Sequence, residues 1–296
     1  MGILLHVSPG DSPYTWHLHP DVLTMCAGFL VAYWYAVVVW RPHIPDAGRV
    51  KRSQVVYYCS GVLVLYLATG TPMHEIGENY LLSVHMTQHL LISLVAPPLL
   101  LAGVPTWLWE ALLVRRQVLP VARVILNPLV TIGFFNAVLV ITHLPNVMNF
   151  TLNHHAFHFW VHVLIVGSST MMWWPVITNV PGLPHLTYPF QMAYLFVQSL
   201  VPSVVAAFIV FSTSAAYSFY ASAPRIWGLS PVEDQQWGAF VMKIVGSAIL
   251  WTFIGVAFFK WYNREEAESG GLPWAEVEQE LHEIGVTLAD VRRRRY

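Results

Sequence analysis

The chain has 296 residues, of which 56% are hydrophobic and only 10% are charged, and its formal net charge is −1. Soluble domains carry about 25% charged residues, so this composition excludes an ordinary soluble domain and indicates a polytopic membrane protein. The basic residues are few and concentrate in certain loops, which gives no basis for nucleic-acid binding. No phosphate-binding loop, Ser-His-Asp order, CxxC or HExxH pattern occurs, so we do not expect an enzyme.

Seven apolar runs are long enough to cross a membrane as helices. They lie, in chain order, near residues 22–40, 54–70, 81–102, 128–143, 154–177, 190–212 and 236–260. The predicted fold class is therefore all-α, a membrane bundle of about seven transmembrane helices covering residues 22–262. Residues 1–21 lack a basic start and a long apolar stretch, so we interpret them as a short extracytoplasmic tail. Residues 263–296 are predicted to form a cytoplasmic tail with an amphipathic helix.

The basic residues predict the orientation of the bundle, because loops on the cytoplasmic side of a membrane carry an excess of Lys and Arg. With the N-terminus outside, thirteen basic residues fall on the inner side and only Arg225 falls in an outer loop. The inner ones are Arg41, Arg49, Lys51, Arg52, Arg115, Arg116, Arg123, Lys260, Arg264 and the run 292–295. We expect the N-terminus outside and the C-terminus inside. The closing arginine run is a candidate for contact with anionic lipid.

This orientation places eleven of the fourteen histidines on the outer side. They are His6, His17, His19, His74, His85, His89, His143, His154, His155, His158 and His162. Helix geometry brings the last four within an arc of about 100°, and His85, Met86 and His89 within a similar arc. We expect these two patches, on the third and fifth spans, to meet in the outer half of the bundle.

Imidazole is rare inside lipid because hydrocarbon offers it no partner, so two such patches favour a metal or haem site. Imidazole with thioether suits copper, which makes His85, Met86, His89, His155, His158 and His162 the candidate ligands. Haem stays open as the alternative, since paired histidines on facing spans can be its axial ligands. A purely structural polar network is the remaining alternative. Histidines in the tail and loops, such as His19 and His74, are interpreted as solvated.

Polar residues near the last span are further candidates. Ser230 to Glu233 fits an N-terminal capping box, so Glu233 is predicted to cap a helix. Asp234 and Gln235 have no such role and are candidates for a site or a partner contact. Lys243 lies within the span, where a charge is costly, so we expect it to face the interior and have a partner.

Two aromatic and proline motifs are interpreted as structural. Pro97 and Pro98 remove two backbone donors from the third span, so we expect that helix to bend or break. Trp173 and Trp174, followed by Pro175, end the fifth span and are predicted to anchor it at the membrane interface.

The stretch His85–Leu91 (HMTQHLL), followed by Ala96–Leu100 (APPLL) and Gly103–Pro105 (GVP), resembles the multi-span CtaG-type cytochrome c oxidase assembly factors of bacteria. The His-rich fifth span and residues 230–242 agree with that likeness, which covers about residues 20–260. The resemblance implies a non-enzymatic role in maturing a haem-copper oxidase in the bacterial plasma membrane, with copper handled on the outer side and oxidase subunits as partners. The family's motif histidines correspond to His85, His89, His158 and His162.

Two other functions stay open from the sequence. A membrane electron carrier would hold haem between the third and fifth spans. An accessory subunit of the oxidase would use its histidines as structural contacts. A transporter is a more distant possibility, supported by Lys243 and the interrupted third span.

Overall fold

A computed structural model describes Ser12, residues 14–268, Gln279, His282 and Glu283 of the chain. The described residues form α-helices without any β-strand, which confirms the all-α fold class. The helices, in chain order, are α1 (Pro20–Trp34), α2 (Arg52–Thr69), α3 (Pro72–Asn79), α4 (Leu82–Leu90), α5 (Ala96–Gly103), α6 (Thr106–Leu113), α7 (Leu119–Ile125), α8 (Pro128–Thr142), α9 (Pro145–Leu152), α10 (His155–Ile177), α11 (Tyr188–Val210), α12 (Ser218–Ser222), α13 (Pro231–Phe240) and α14 (Gly246–Glu268). The predicted amphipathic helix of the C-terminal tail lies outside the described residues.

Five helical stretches in the described residues are long and apolar enough to cross a membrane, and two bent pairs raise the number to seven. The stretches are Pro20–His43, Leu82–Gly103, His155–Ile177, Tyr188–Val210 and Pro231–Ala267. The pairs are α2 with α3, bent by 46°, and α7 with α8, bent by 57°. Each of the seven predicted spans therefore has a counterpart.

Short π-helical turns join several of these segments into continuous spans. Leu91–Val95 links α4 to α5, and Val241–Val245 links α13 to α14. The span Leu82–Gly103 is 61% buried inside the protein, whereas the other four single spans are 22–44% buried. The α4–α5 span is therefore the central one, and α2, α10 and α13 pack around it.

The third span was expected to bend or break at Pro97 and Pro98, and it does not break, because the α4–α5 span runs through both prolines. The π-helical turn directly before them widens the helix, a common way of accommodating an interruption of the hydrogen-bond ladder. The carbonyl of Ser93, four residues before Pro97, accepts a hydrogen bond from the Trp173 indole at 3.0 Å. A side chain of α10 thus replaces the donor that proline lacks.

The interfacial role expected for Trp173 and Trp174 is wrong. Trp173 is fully buried and Trp174 is 3% exposed, both in the apolar core that joins α5, α8, α10 and α11. The sequence places the pair correctly at the end of a span, but this end packs against other helices rather than lipid. The central span is consequently tied to α10 at the level of Ser93.

Close backbone contact fixes α2 against α5. A Cβ atom built on Gly103 would lie 2.5 Å from the Tyr58 backbone nitrogen, so only glycine allows this approach. The Tyr33 hydroxyl donates to the Gly103 carbonyl at 3.0 Å, and the Tyr33 ring stacks on the ring of Tyr58. These contacts attach α1 and α2 to the far end of the central span from His85.

Candidate metal centre

Four histidines from two spans come together in the structure. His85 and His89 lie on α4, His158 and His162 lie on α10, and one ring nitrogen of each lies within 4.8 Å of the others. Ring centroids are 4.3 Å apart for His85 and His89 and 4.4 Å apart for His158 and His162. We call these residues the four-histidine group. The expected meeting of the third and fifth spans is confirmed.

The nitrogen positions suit a single small ion. The Nε2 atoms of His89 and His162 are 3.3 Å apart, and four nitrogens at ordinary metal–nitrogen bond lengths in a tetrahedron stand roughly 3.3 Å apart. Two further ring nitrogens, His85 Nδ1 and His158 Nε2, are buried and make no hydrogen bond within the described residues. Buried nitrogens without partners are costly, and coordination of an ion would satisfy them.

The same packing leaves no gap for haem among these rings. Two axial histidines must stand on opposite faces of a porphyrin plane. The His89 and His162 nitrogens are instead in direct contact, and the rings of His85 and His158 lie only 5.4 Å apart between their centroids. The residues present therefore fit an ion better than a macrocycle.

Asp234 positions the first turn of α4. Its Oδ2 accepts a hydrogen bond from the Leu82 backbone N–H at 2.7 Å, and its Oδ1 accepts from the Ser83 N–H at 3.1 Å and the Ser83 hydroxyl at 2.6 Å. A carboxylate is favourable at a helix N-terminus, where backbone donors lack partners. Asp234 is fully buried and holds the helix that carries His85, so the contacts seen for it are structural, and its role in a site or partner contact stays a prediction.

Gln235 is likewise internal rather than available to a partner. Its Oε1 accepts from the Ala216 N–H at 2.7 Å, and its Nε2 donates to the carbonyls of Ile209 and Ser214. These bonds fasten the loop after α11 onto α13. The predicted capping box of Ser230 and Glu233 at the start of α13 is confirmed.

Helix α3 packs closely against the turn of α4 that carries His85. A Cβ atom on Gly77 would lie 3.1 Å from the His85 backbone, so α3 packs directly on this turn of α4. The Tyr220 hydroxyl donates to the Gly77 carbonyl at 2.6 Å. Burial raises the pKa of the Tyr220 phenol well above its usual value, which keeps this donor protonated. The α3 turn is thus fixed above the four-histidine group.

Glu78, on this α3 turn, was not singled out from the sequence. Its Oε1 lies 3.2 Å from His158 Nδ1 and 3.1 Å from His74 Nδ1. A carboxylate on one ring nitrogen favours the tautomer whose other nitrogen carries the lone pair, as around many metal-binding histidines. Glu78 therefore orients His158 with Nε2 as its ligand atom. The available signal was the pair His74 and Glu78 at i and i+4 on a polar helix.

The remaining candidates lie outside this group. His155 is exposed and is not one of the four grouped histidines. Met86 is buried in an apolar cluster with Met148 and Met242 and packs against Gly238 of α13. Lys243 has a partner, since its ammonium donates to the Ser203 hydroxyl on α11, but it is exposed rather than interior. The long lysine chain can reach a hydroxyl at the edge of the bundle without entering it.

Three further histidines lie near the four-histidine group, and two of them, His19 and His74, were interpreted from the sequence as solvated. His74 and His19 are both half-buried, and their ring centroids are 5.3 Å apart. His143, at the end of α8, has its ring centroid 6.1 Å from that of His89. Helix periodicity could not place these residues because they lie on other elements, and only the tertiary fold brings them together.

Comparison with known proteins gives one family match. The family described as cytochrome c oxidase caa3 assembly factor (Caa3_CtaG) matches residues 31–264 of this chain, which include all four grouped histidines. The chain is also 24% identical over 243 residues to the uncharacterized protein Mb0105 of Mycobacterium bovis and to the uncharacterized protein MT0111 of Mycobacterium tuberculosis. The matches cover 74% of this chain but only 35% of those relatives, so it spans about a third of their length. No solved structure matches the chain.

Proposed function

Because the chain belongs to the cytochrome c oxidase caa3 assembly factor family, we propose that it binds copper at the four-histidine group and transfers it to an oxidase subunit. Its family is one of assembly factors rather than a class of enzymes, and its helices are those of a membrane protein. We place it in the plasma membrane of a bacterium, where the oxidase subunit that receives the ion would also lie. Copper is here the cargo of the protein.

The observation that carries this proposal is the convergence of four imidazoles from α4 and α10, two of them with buried nitrogens that lack hydrogen bonds among the described residues. Imidazole ligands suit copper, and neutral nitrogen ligands bind Cu(I) without adding negative charge. The Glu78 carboxylate beside His158 supplies a nearby counter-charge for a buried cation.

The group is also suited to releasing its ion. His162 is half-buried, whereas His85 and His158 are buried, so one side of the group is more accessible than the other. Copper transfer requires that ligands of the recipient replace ligands of the donor one at a time.

Copper content of the purified full-length protein tests the proposal. The wild type is compared with a variant carrying His85→Ala and His89→Ala and with a matched control carrying His154→Ala and His185→Ala. The control removes two histidines that bond backbone carbonyls and are not among the grouped four. We expect copper in the wild type and the control and its loss from the first variant. Equal copper content in all three proteins, or none in any, would refute the copper role.

A structural accessory role predicts a different result. In that case a strain with His85→Ala and His89→Ala would assemble its oxidase normally. The proposed role predicts an oxidase that is made but lacks copper. A visible absorption spectrum of the purified full-length protein tests the haem alternative, since a bound haem gives a strong Soret band.

A further inference from the structure

A second set of polar side chains lies next to the four-histidine group on the side of the α3 turn. We call His19, His74, Glu75 and Glu78 the outer group. His19 Nε2 lies 3.5 Å from Glu75 Oε1, and His74 Nδ1 lies 3.1 Å from Glu78 Oε1. The side chains are only 12–18% exposed. Two carboxylates and two imidazoles are therefore withdrawn from most of the solvent in one place.

The hydrogen bonds of the outer group do not balance. His74 Nδ1 lies 3.1 Å from Glu78 Oε1 and also 2.9 Å from the Gln88 amide nitrogen. A protonated Nδ1 donates to Glu78, but its hydrogen then faces the N–H of Gln88. An unprotonated Nδ1 accepts from Gln88, but its lone pair then faces the Glu78 oxygen. Gln88 is fully buried, and its Oε1 makes no hydrogen bond within the described residues. With Nδ1 unprotonated, the oxygens Glu78 Oε1 and Gln88 Oε1 have lone pairs that no hydrogen of His74 or Gln88 satisfies, and a cation would satisfy them.

The outer group is connected to the four-histidine group through shared side chains. Glu78 Oε1 is 3.2 Å from His158 Nδ1, so the same carboxylate oxygen serves His74 and His158. The ring of His74 also lies 6.4 Å from that of His162, between centroids. His19 immediately precedes α1, and its chain neighbours Leu18 and Pro20 are exposed. An ion at the outer group is therefore one side chain away from the inner ligands.

We propose that the outer group is a second cation position, in series with the four-histidine group, through which the metal ion enters. This inference rests on the proposed function and adds the route of loading to it. Carboxylates attract and partly dehydrate a cation, and imidazoles then bind it more selectively. During transfer the ion exchanges oxygen and nitrogen ligands of the outer group for nitrogens of the inner group, with no change of oxidation state.

Loading kinetics test the route separately from the capacity to hold metal. Cu(I) is presented to the detergent-purified full-length protein as a coloured chelate, and the loss of chelate colour follows loading. The test variant carries His19→Ala and Glu75→Gln, neither of which belongs to the four-histidine group. Glu75→Gln keeps an oxygen that can accept from Asn79, which bonds Glu75 at 3.1 Å. The control carries Asp21→Asn and His154→Ala, which likewise remove one carboxylate and one imidazole, but from exposed positions.

We expect the test variant to reach the wild-type copper content at a rate lower by about tenfold, at the low end of what local charge does for association rates. The control should load at the wild-type rate.

Equal rates in test and control, with copper bound in both, would overturn the entry route and leave the copper role intact. Loss of bound copper from the test variant would place the outer residues in the holding site and contradict a series arrangement. A wild type without copper would overturn both proposals. If the double variant does not fold, the loading rate is measured on the single variant Glu75→Gln, whose helicity is checked by circular dichroism.

Discussion

At the residue scale, the sequence predicted which histidines lie together better than it predicted their surroundings. Helical spacing alone brought His85 and His89, and His158 and His162, onto common faces, and the structure groups these four. His155 has suitable spacing at the edge of the same arc, yet it is exposed, because the α10 face that turns inward is centred on His158. Glu78 was missed because its role depends on how α3 folds over α10, which no periodicity encodes.

The orienting role of Glu78 leads to a prediction for Glu78→Gln. The amide keeps the shape of the side chain but removes the charge that holds the His158 tautomer. Loss of such an outer partner lowers metal affinity by about 10–100-fold. A competition titration with a Cu(I) chelator measures this change. Glu110→Gln, on α6 at the opposite end of the central span, is the matched control and should leave the affinity unaltered. Affinity equal to the wild type in both variants would show that Glu78 does not position the ligand.

At the element scale, the central α4–α5 span is held from both sides by polar contacts to neighbouring spans. Asp234 of α13 binds its first backbone N–H groups, and Trp173 of α10 binds the Ser93 carbonyl freed by Pro97. The sequence predicted these spans, but the contacts that Asp234 and Trp173 make to the backbone of the central span could not be predicted from it. Inside a membrane protein, backbone atoms without a partner must be satisfied by other groups of the protein, and only the tertiary fold shows which side chains do so.

The tryptophan contact can be tested with neighbouring substitutions. Trp173→Phe removes the donor to Ser93 and leaves a buried carbonyl unpaired, at a cost of about 1–3 kcal/mol. Trp174→Phe makes the same change of side chain at a buried indole whose N–H has no partner in the described part of the chain. We expect a lower apparent melting temperature for Trp173→Phe than for Trp174→Phe in the same detergent. Similar losses in both would mean that ring packing, not the hydrogen bond, dominates.

At the scale of the whole molecule, the histidines of several helices do share one end of the bundle. Ring contacts connect His19 with His74, His74 with His162, His85 with His158, and His89 with His143. These contacts join the starts of α1, α4 and α10 to the end of α8. Alternation of spans predicted this arrangement, since successive helices cross in opposite directions. The absolute orientation rests on the distribution of basic residues and stays a prediction.

Cysteine labelling measures that orientation directly. In a background with Cys26→Ser and Cys59→Ser, Asn153→Cys and Gly48→Cys introduce a single thiol at exposed positions near opposite ends of the bundle. With the N-terminus outside, a membrane-impermeant maleimide should label the Asn153→Cys protein in intact cells and the Gly48→Cys protein only after lysis. The reverse pattern would place the four-histidine group at the cytoplasmic side and reverse the compartment from which an ion arrives.

The central claim is that one copper ion is held by imidazoles of α4 and α10. X-ray absorption spectroscopy at the copper edge of the copper-loaded, full-length protein tests it most directly, because it identifies the atoms bound to the ion. We expect nitrogen as the nearest neighbour of copper, together with the more distant scattering that is typical of imidazole rings, and we expect both signals to be lost in the variant with His85→Ala and His89→Ala. A first shell dominated by sulfur, or an imidazole signal unchanged in that variant, would contradict it.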